Sequence, residues 1–179
     1  WDIDQRQDVV VIDVATGKRT RITGGPDPIF FIPTWLPDGK TIAALGGRLP
    51  HNAYRNDIWL FAADGSEATP NGGLNLSGRH DIMPGSGMNS DITPGEGARL
   101  IPSADGRWLT FLAPRDGAYQ LWRIAVQDGA LEQLTEGRQF LSSFDQVDGR
   151  GARSRAAFIR SSPTELPDVW VRDGAGAHL

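Results

Sequence analysis

Few residues in this chain have the types and spacing that chemistry requires. His80-Asp81 sets an imidazole beside a carboxylate, the pair that orients a general base in a hydrolytic triad. Adjacent residues on a strand or loop point apart, however, and the surrounding glycines and prolines read as a solvated loop. His51 and His178 also fall in loop-like or terminal stretches. A serine nucleophile needs Gly-x-Ser-x-Gly at a strand-to-helix turn, and Gly85-Ser86-Gly87 and Leu76-Ser77-Gly78 lack that spacing. No catalytic residue is assigned.

Asp38, Asp64, Asp105, Asp128 and Asp148 each precede a glycine. They lack the Asp-x-Asp-x-Asp spacing of a calcium loop, and the chain has neither cysteine nor His-Glu-x-x-His. No metal and no cofactor are expected. These aspartates read as turn residues whose carboxylates bond nearby backbone N–H groups. Arg160, ending an apolar stretch beside Ser161-Ser162-Pro163, is the one side chain with a binding role in view. Arginine takes carboxylates bidentately, so Arg160 could meet a substrate carboxylate or a neighbouring domain; the alternative is an ordinary rim arginine. Trp35, Trp59, Trp108, Trp122 and Trp170 recur in step with the repeat described next, which suits packing between repeats rather than a ligand cage.

The elements behind these residues are read from one stretch, Pro33-Thr34-Trp35-Leu36-Pro37-Asp38-Gly39-Lys40-Thr41-Ile42-Ala43-Ala44-Leu45. An apolar segment enters Pro-Asp-Gly and an alternating apolar segment leaves it, so the spacing predicts a β-hairpin. Leu100 to Leu112 repeats it around Asp105-Gly106-Arg107, and Ser143 to Ile159 is a weaker third copy around Asp148-Gly149-Arg150. Each hairpin is followed by a second block, Asp57-Ile58-Trp59, Gln120-Leu121-Trp122 or Asp168-Val169-Trp170, with Asp8-Val9-Val10 as a Trp-less counterpart. The second and third turn aspartates are 43 residues apart, within the ~40–50 residues of a four-stranded propeller blade. The first and second are 67 apart, and the excess falls on an inserted loop, 80–98, rich in glycine and proline. That loop either lines a channel, faces a partner domain or decorates the surface.

The reading is all-β: a partial β-propeller of four-stranded antiparallel blades, about three and a half of them. Residues 1–25 are half a blade, 26–78 a blade, 79–137 a blade with the inserted loop, and 138–179 an incomplete blade. The totals agree: Gly 22 and Pro 12 in 179 residues make a turn-rich chain, and no run is long enough to span a bilayer. A net charge of −4 gives no electrostatic reason for a nucleic-acid partner. Trp1-Asp2-Ile3-Asp4 shows no signal peptide and no initiator Met, which suggests a fragment.

The Trp-x-Pro-Asp-Gly-Lys-x-Ile-Ala hairpin, followed by Asp-Ile-Trp and a Leu-Thr-x-Gly ending, resembles the blade repeat of two groups. One is the N-terminal propeller of prolyl-oligopeptidase-family (S9) serine peptidases; the other is the propeller of TolB-type proteins. Met88-Asn89-Ser90-Asp91 and the run Ala157 to Thr164 with Asp168-Val169-Trp170-Val171 are similar to the acylaminoacyl-peptidase branch. The second copy departs from the pattern, with Ile101-Pro102-Ser103-Ala104 where Trp-Ser-Pro is expected, and the third is lengthened between Asp148 and Arg155. The peptidase resemblance implies a non-catalytic, substrate-gating part of an enzyme that hydrolyses short peptides. Its α/β-hydrolase domain and remaining blades would lie elsewhere in the parent. The alternative it implies is a protein-binding propeller without enzymatic activity. Compartment follows the branch: cytoplasmic for the peptidase, periplasmic for a TolB-like protein. A run of blades without its ring leaves open apolar faces, so self-association is expected.

Overall fold

The computed structural model describes residues 6–25, 27–48, 55–69, 72–85, 98–147, 155–173 and 176–178. His51, the Met88 to Asp91 segment with most of the 80–98 loop, and the third turn at 148–150 lie outside them. Among the described residues there is no helix, and every sheet is antiparallel. The chain divides into two compact units, Trp1–Met83 and Pro84–Leu179.

The first unit holds a two-stranded sheet, β1 (Val10–Ile12) with β2 (Arg19–Arg21), and a four-stranded sheet. The latter runs in chain order through β3 (Pro28–Trp35), β4 (Thr41–Arg48), β5 (Asp57–Ala62) and β6 (Leu74–Asn75). The β3–β4 hairpin closes as its residue types require. Gly39 N–H donates to Leu36 carbonyl at 3.1 Å and Gly39 takes φ of 65°, a conformation that costs a residue without Cβ nothing. Asp38 Oδ1 accepts the Lys40 and Thr41 N–H groups at 2.8 and 2.9 Å, and its Oδ2 accepts the Thr41 hydroxyl.

Alternation along these strands builds the core. Phe30, Ile42, Ala44 and Phe61 project from one face of the four-stranded sheet onto Val9 and Ile22, which flank the preceding pair of strands. Phe30 meets Trp59 and Phe61 edge-to-face, at ring separations of 5.6 and 5.0 Å. Burying each such side chain contributes about 2–3 kcal/mol. One irregularity interrupts β3. Its register to β4 slips between Phe31 and Thr34, and Ile32 there has φ of 53°, strained for a β-branched residue.

The second unit holds two four-stranded sheets. One contains β7 (Ile101–Pro102), β8 (Trp108–Arg115), β9 (Ala118–Ala125) and β10 (Leu131–Gln133). The other contains β11 (Phe140–Val147), β12 (Arg155–Ser162), β13 (Glu165–Asp173) and β14 (Gly176–His178). Leu121 of the former packs with Leu141, Phe144, Ala156 and Phe158 of the latter, so these sheets are joined face to face by an apolar layer. The departure at Ile101-Pro102-Ser103-Ala104 leaves the turn intact. Gly106 N–H reaches Ser103 carbonyl at 2.8 Å, Gly106 has φ of 69°, and Ser103 Oγ accepts the Trp108 N–H.

The tryptophans are not uniformly core. Trp122 is buried, and Trp59 and Trp170 are partly buried against the two apolar clusters. Trp35 is 49% exposed, and Trp108 is only partly covered, with the Arg123 guanidinium 4.2 Å from its ring. The reason is position: Trp59, Trp122 and Trp170 share one place on the third strand of their sheets, opposite Ala44, Phe111 and Phe158. Trp35 ends a first strand and Trp108 starts a second, where a side chain meets solvent.

Candidate functional site

Two side-chain arrangements recur, and both depend on the third strand. The first is a polar clasp at its start. Asp57 is buried; Ile58 N–H donates to Ser77 Oγ at 2.9 Å, and Ser77 Oγ lies 3.4 Å from Asp57 Oδ1. Asn75 Nδ2 and Arg55 Nε also donate to the Asp57 carboxylate, at 2.9 and 3.1 Å. Gln120 does the same with Thr135, which takes the Leu121 N–H at 2.9 Å and donates to Gln120 Oε1 at 2.8 Å. Asp8 and Thr23 form the third instance, with Val9 N–H on Thr23 Oγ1 at 3.1 Å. Each clasp ties the end of its sheet's last strand to the start of the strand before it, with a Ser or Thr supplying the hydroxyl each time. These hydroxyls satisfy buried groups and are not placed to react.

The second arrangement is an arginine lying over the repeated tryptophan. Arg48, at the end of β4, stands 4.8 Å from the Trp59 ring and 5.4 Å from Phe30. Arg115, at the end of β8, is 5.5 Å from Trp122. Arg160, on β12, is 4.2 Å from Trp170. Arg160 is therefore held by an aromatic face, its Nη2 lies 3.3 Å from Glu165 Oε2, and its Nε is buried without a hydrogen-bond partner. Arg48 and Arg115 were not singled out from sequence. Superposing the repeats would have found them, since Gly46-Gly47-Arg48 and Ala113-Pro114-Arg115 each place an arginine where the second strand ends; Arg160 lies short of Ser162, where β12 ends.

The other sequence candidates separate. His80 Nε2 accepts from Arg79 Nε at 3.3 Å, and its carbonyl accepts from Arg55 Nη2 at 2.7 Å. Ser77 belongs to the clasp. Among the described residues no three His, Cys, Asp or Glu side chains stand where one metal ion could bind. The turn aspartates behave as acceptors: bonds from Ser103 and Arg107 bring Asp105 down to about 2, and bonds from Lys40 and Thr41 lower Asp38. A cleft of about 700 Å³ opens beside the turns of the first unit, lined by Lys40, Leu60, Phe61, Asp64 and Glu67. Its carboxylates are already occupied, Asp64 by Ser66 N–H and Glu67 by Ala62 N–H, so nothing converges on it.

Known proteins agree with this architecture. No protein-family model matches the chain. It is 23% identical over 173 residues, 96% of its length, to 22% of dipeptidyl-peptidase 5 of Porphyromonas gingivalis. It is 40% identical over 104 residues, 57% of its length, to 27% of the uncharacterized protein Atu1656 of Agrobacterium fabrum. The chain thus spans about a quarter of the length of these curated relatives. TolB from Acinetobacter baumannii superposes with a TM-score of 0.60 at 18% identity, covering 97% of this chain and 37% of that one. The β-propeller domain of the Trilobed protease from Pyrococcus furiosus gives 0.59 at 17%, covering 96% and 42%. Pyrococcus horikoshii acylaminoacyl peptidase gives 0.62 at 14%, covering 97% and 22%. With its four-stranded antiparallel sheets in chain order, the protein is a run of β-propeller blades, with the fold found in TolB and in the propellers of S9 peptidases.

Proposed function

We propose that this chain is part of the propeller of a serine peptidase that hydrolyses short peptides, and that it governs which peptides enter without cutting them. The observation that carries this reading is the likeness to dipeptidyl-peptidase 5, which runs along 96% of the chain yet takes up 22% of that protein. An α/β-hydrolase domain and further blades of the same polypeptide then supply the catalytic serine. Arg160 is the arm offered to a substrate carboxylate, since a ligand can displace Glu165, whose side chain is 58% exposed. The compartment on this reading is the cytoplasm.

The test is the natural polypeptide containing these residues, treated with a serine-directed phosphonate. Covalent labelling outside residues 1–179, with loss of peptide hydrolysis, is expected. A polypeptide that takes no label and cleaves no short peptide overturns the proposal and favours the second reading. That reading is a TolB-like, periplasmic propeller that binds a protein partner, supported by the fold shared with Acinetobacter baumannii TolB.

Taken alone, the 179-residue chain is proposed to self-associate. Val147, Leu166 and Val169 are 72%, 88% and 58% exposed, and these are strand residues that a neighbouring blade would cover. Sedimentation velocity should show concentration-dependent oligomers; one sharp monomer boundary across concentrations would refute this.

A further inference from the structure

Sheet-to-sheet packing follows one rule in both units. Val9 and Leu121 hold one position of the repeat, because each donates its N–H to the threonine of a clasp. Val9, with Val11, packs on the face of its neighbouring sheet that presents Phe61 and Trp59. Leu121, with Leu112 and Leu134, packs on the face that presents Phe158 and Trp170. In both units, the face holding the residue before the tryptophan position covers the tryptophan side of a neighbour.

One face of each kind stays open. Side chains alternate along a strand, so Val10 and Ile12 lie on the opposite side of β1 from Val9. Val10 follows Val9 as Trp122 follows Leu121, and Val10 and Ile12 are 44% and 54% exposed. In the sheet of β11 to β14, Val169 precedes Trp170 as Leu121 precedes Trp122, and it is 58% exposed. Ile159 stands opposite Val169, and Val147 continues the same face.

The two open faces also differ in charge. Arg21 and Arg19 stand opposite Val10 and Ile12, and Asp8 on that side pairs with Arg21, which leaves Arg19 as the excess cation. The Val169 face carries Asp145, opposite Ala157, and by alternation Asp173 and Arg155, which leaves an anion in excess.

We propose that the Val169 face docks a second copy of this chain head to tail, covering Val10 and Ile12 of that copy. The contact repeats the packing inside the chain, with Val169 in the place of Leu121 and Val10 in the place of Trp170. It also brings the acidic face to the basic one, whereas pairing like faces sets carboxylates against carboxylates or guanidiniums against guanidiniums. Such a contact is heterologous: every copy added leaves one face of each kind free, so assemblies grow with concentration. The pairing rests on the self-association proposed above and names the surfaces that make it.

The experiment is sedimentation velocity on the 179-residue chain, on Val10→Asp, on Val169→Asp and on an equimolar mixture of the two variants. Both substitutions fall on exposed strand positions, and Ile12→Asp with Val147→Asp gives a second pair on the same faces. An unpaired carboxylate in an apolar contact should weaken association about tenfold or more, so each variant alone should shift toward monomer. The mixture should recover one complex, a 1:1 dimer that does not grow, because one intact face of each kind remains to meet. If Val10→Asp associates like the unmutated chain while Val169→Asp does not, like faces pair and the proposal is wrong. A mixture that forms no heterodimer overturns it as well. Oligomers that ignore both substitutions uphold self-association and sink only this pairing, whereas an unmutated chain that stays monomeric removes both.

Discussion

Thr135 and Gln120 are bound through one hydroxyl: Thr135 Oγ1 donates to Gln120 Oε1 at 2.8 Å while accepting the Leu121 N–H at 2.9 Å. Both residues are buried, so removing the hydroxyl strands the Leu121 N–H away from water, while Gln120 Oε1 keeps only its bond from Gln139 Nε2 at 2.8 Å. Thr135→Val should lower stability by about 1–3 kcal/mol, and Thr135→Ser, which keeps the oxygen, by clearly less. Urea unfolding of the two variants checks this, and equal losses would mean that the methyl group contributes as much as the bond.

Phe61 and Trp35 make the opposite comparison. Phe61 is 1% exposed inside the aromatic cluster and Trp35 is 49% exposed at a strand end. Phe61→Ala should therefore cost about 3–5 kcal/mol, and Trp35→Ala well under half of that, despite the larger side chain removed. Thermal melts should show the two variants far apart.

Gly46 is required twice over. Its φ is 137°, and a Cβ added there would sit 1.9 Å from the Ile29 carbonyl oxygen. Backbone cannot yield as a flexible side chain would, so Gly46→Ala should destabilise by more than 1 kcal/mol. Gly39→Ala meets no atom within 4 Å and bears only the cost of its φ of 65°. A stability scan that ranks Gly39→Ala as the worse of the two would contradict this.

Asp105 gives a pH dependence. Hydrogen bonds from Ser103 and Arg107 lower its pKa from 3.8 to about 2 in the folded chain. A depressed folded value means that the unfolded state binds the proton first as pH falls. The stabilising contribution is thus complete above 3.8 and is lost as pH drops through about 2. Asp105→Asn should flatten this part of the pH profile of the melting temperature, and carboxyl NMR should place the Asp105 titration near 2.

Much of this architecture is local in origin, and local features are legible. The Asp-Gly pairs at 38–39 and 105–106 specify tight turns because carboxylate and glycine act within three residues of one another. The alternation of Thr41 to Leu45 and the repetition of Asp-Ile-Trp as Gln-Leu-Trp then fix strands and their order. Turn chemistry, strand period and repeat length determine antiparallel blades from sequence alone. Contacts between distant residues are another matter. The clasps join residues 15 and 20 apart through side chains whose types are common, so Ser77 and Thr135 are recognisable as partners of Asp57 and Gln120 only once the strands lie side by side. The exposure of Trp35, the strain at Ile32 and the stacking of Arg48 on Trp59 were likewise decided by the tertiary structure. Each depends on what a neighbouring strand or sheet covers and what it leaves to water.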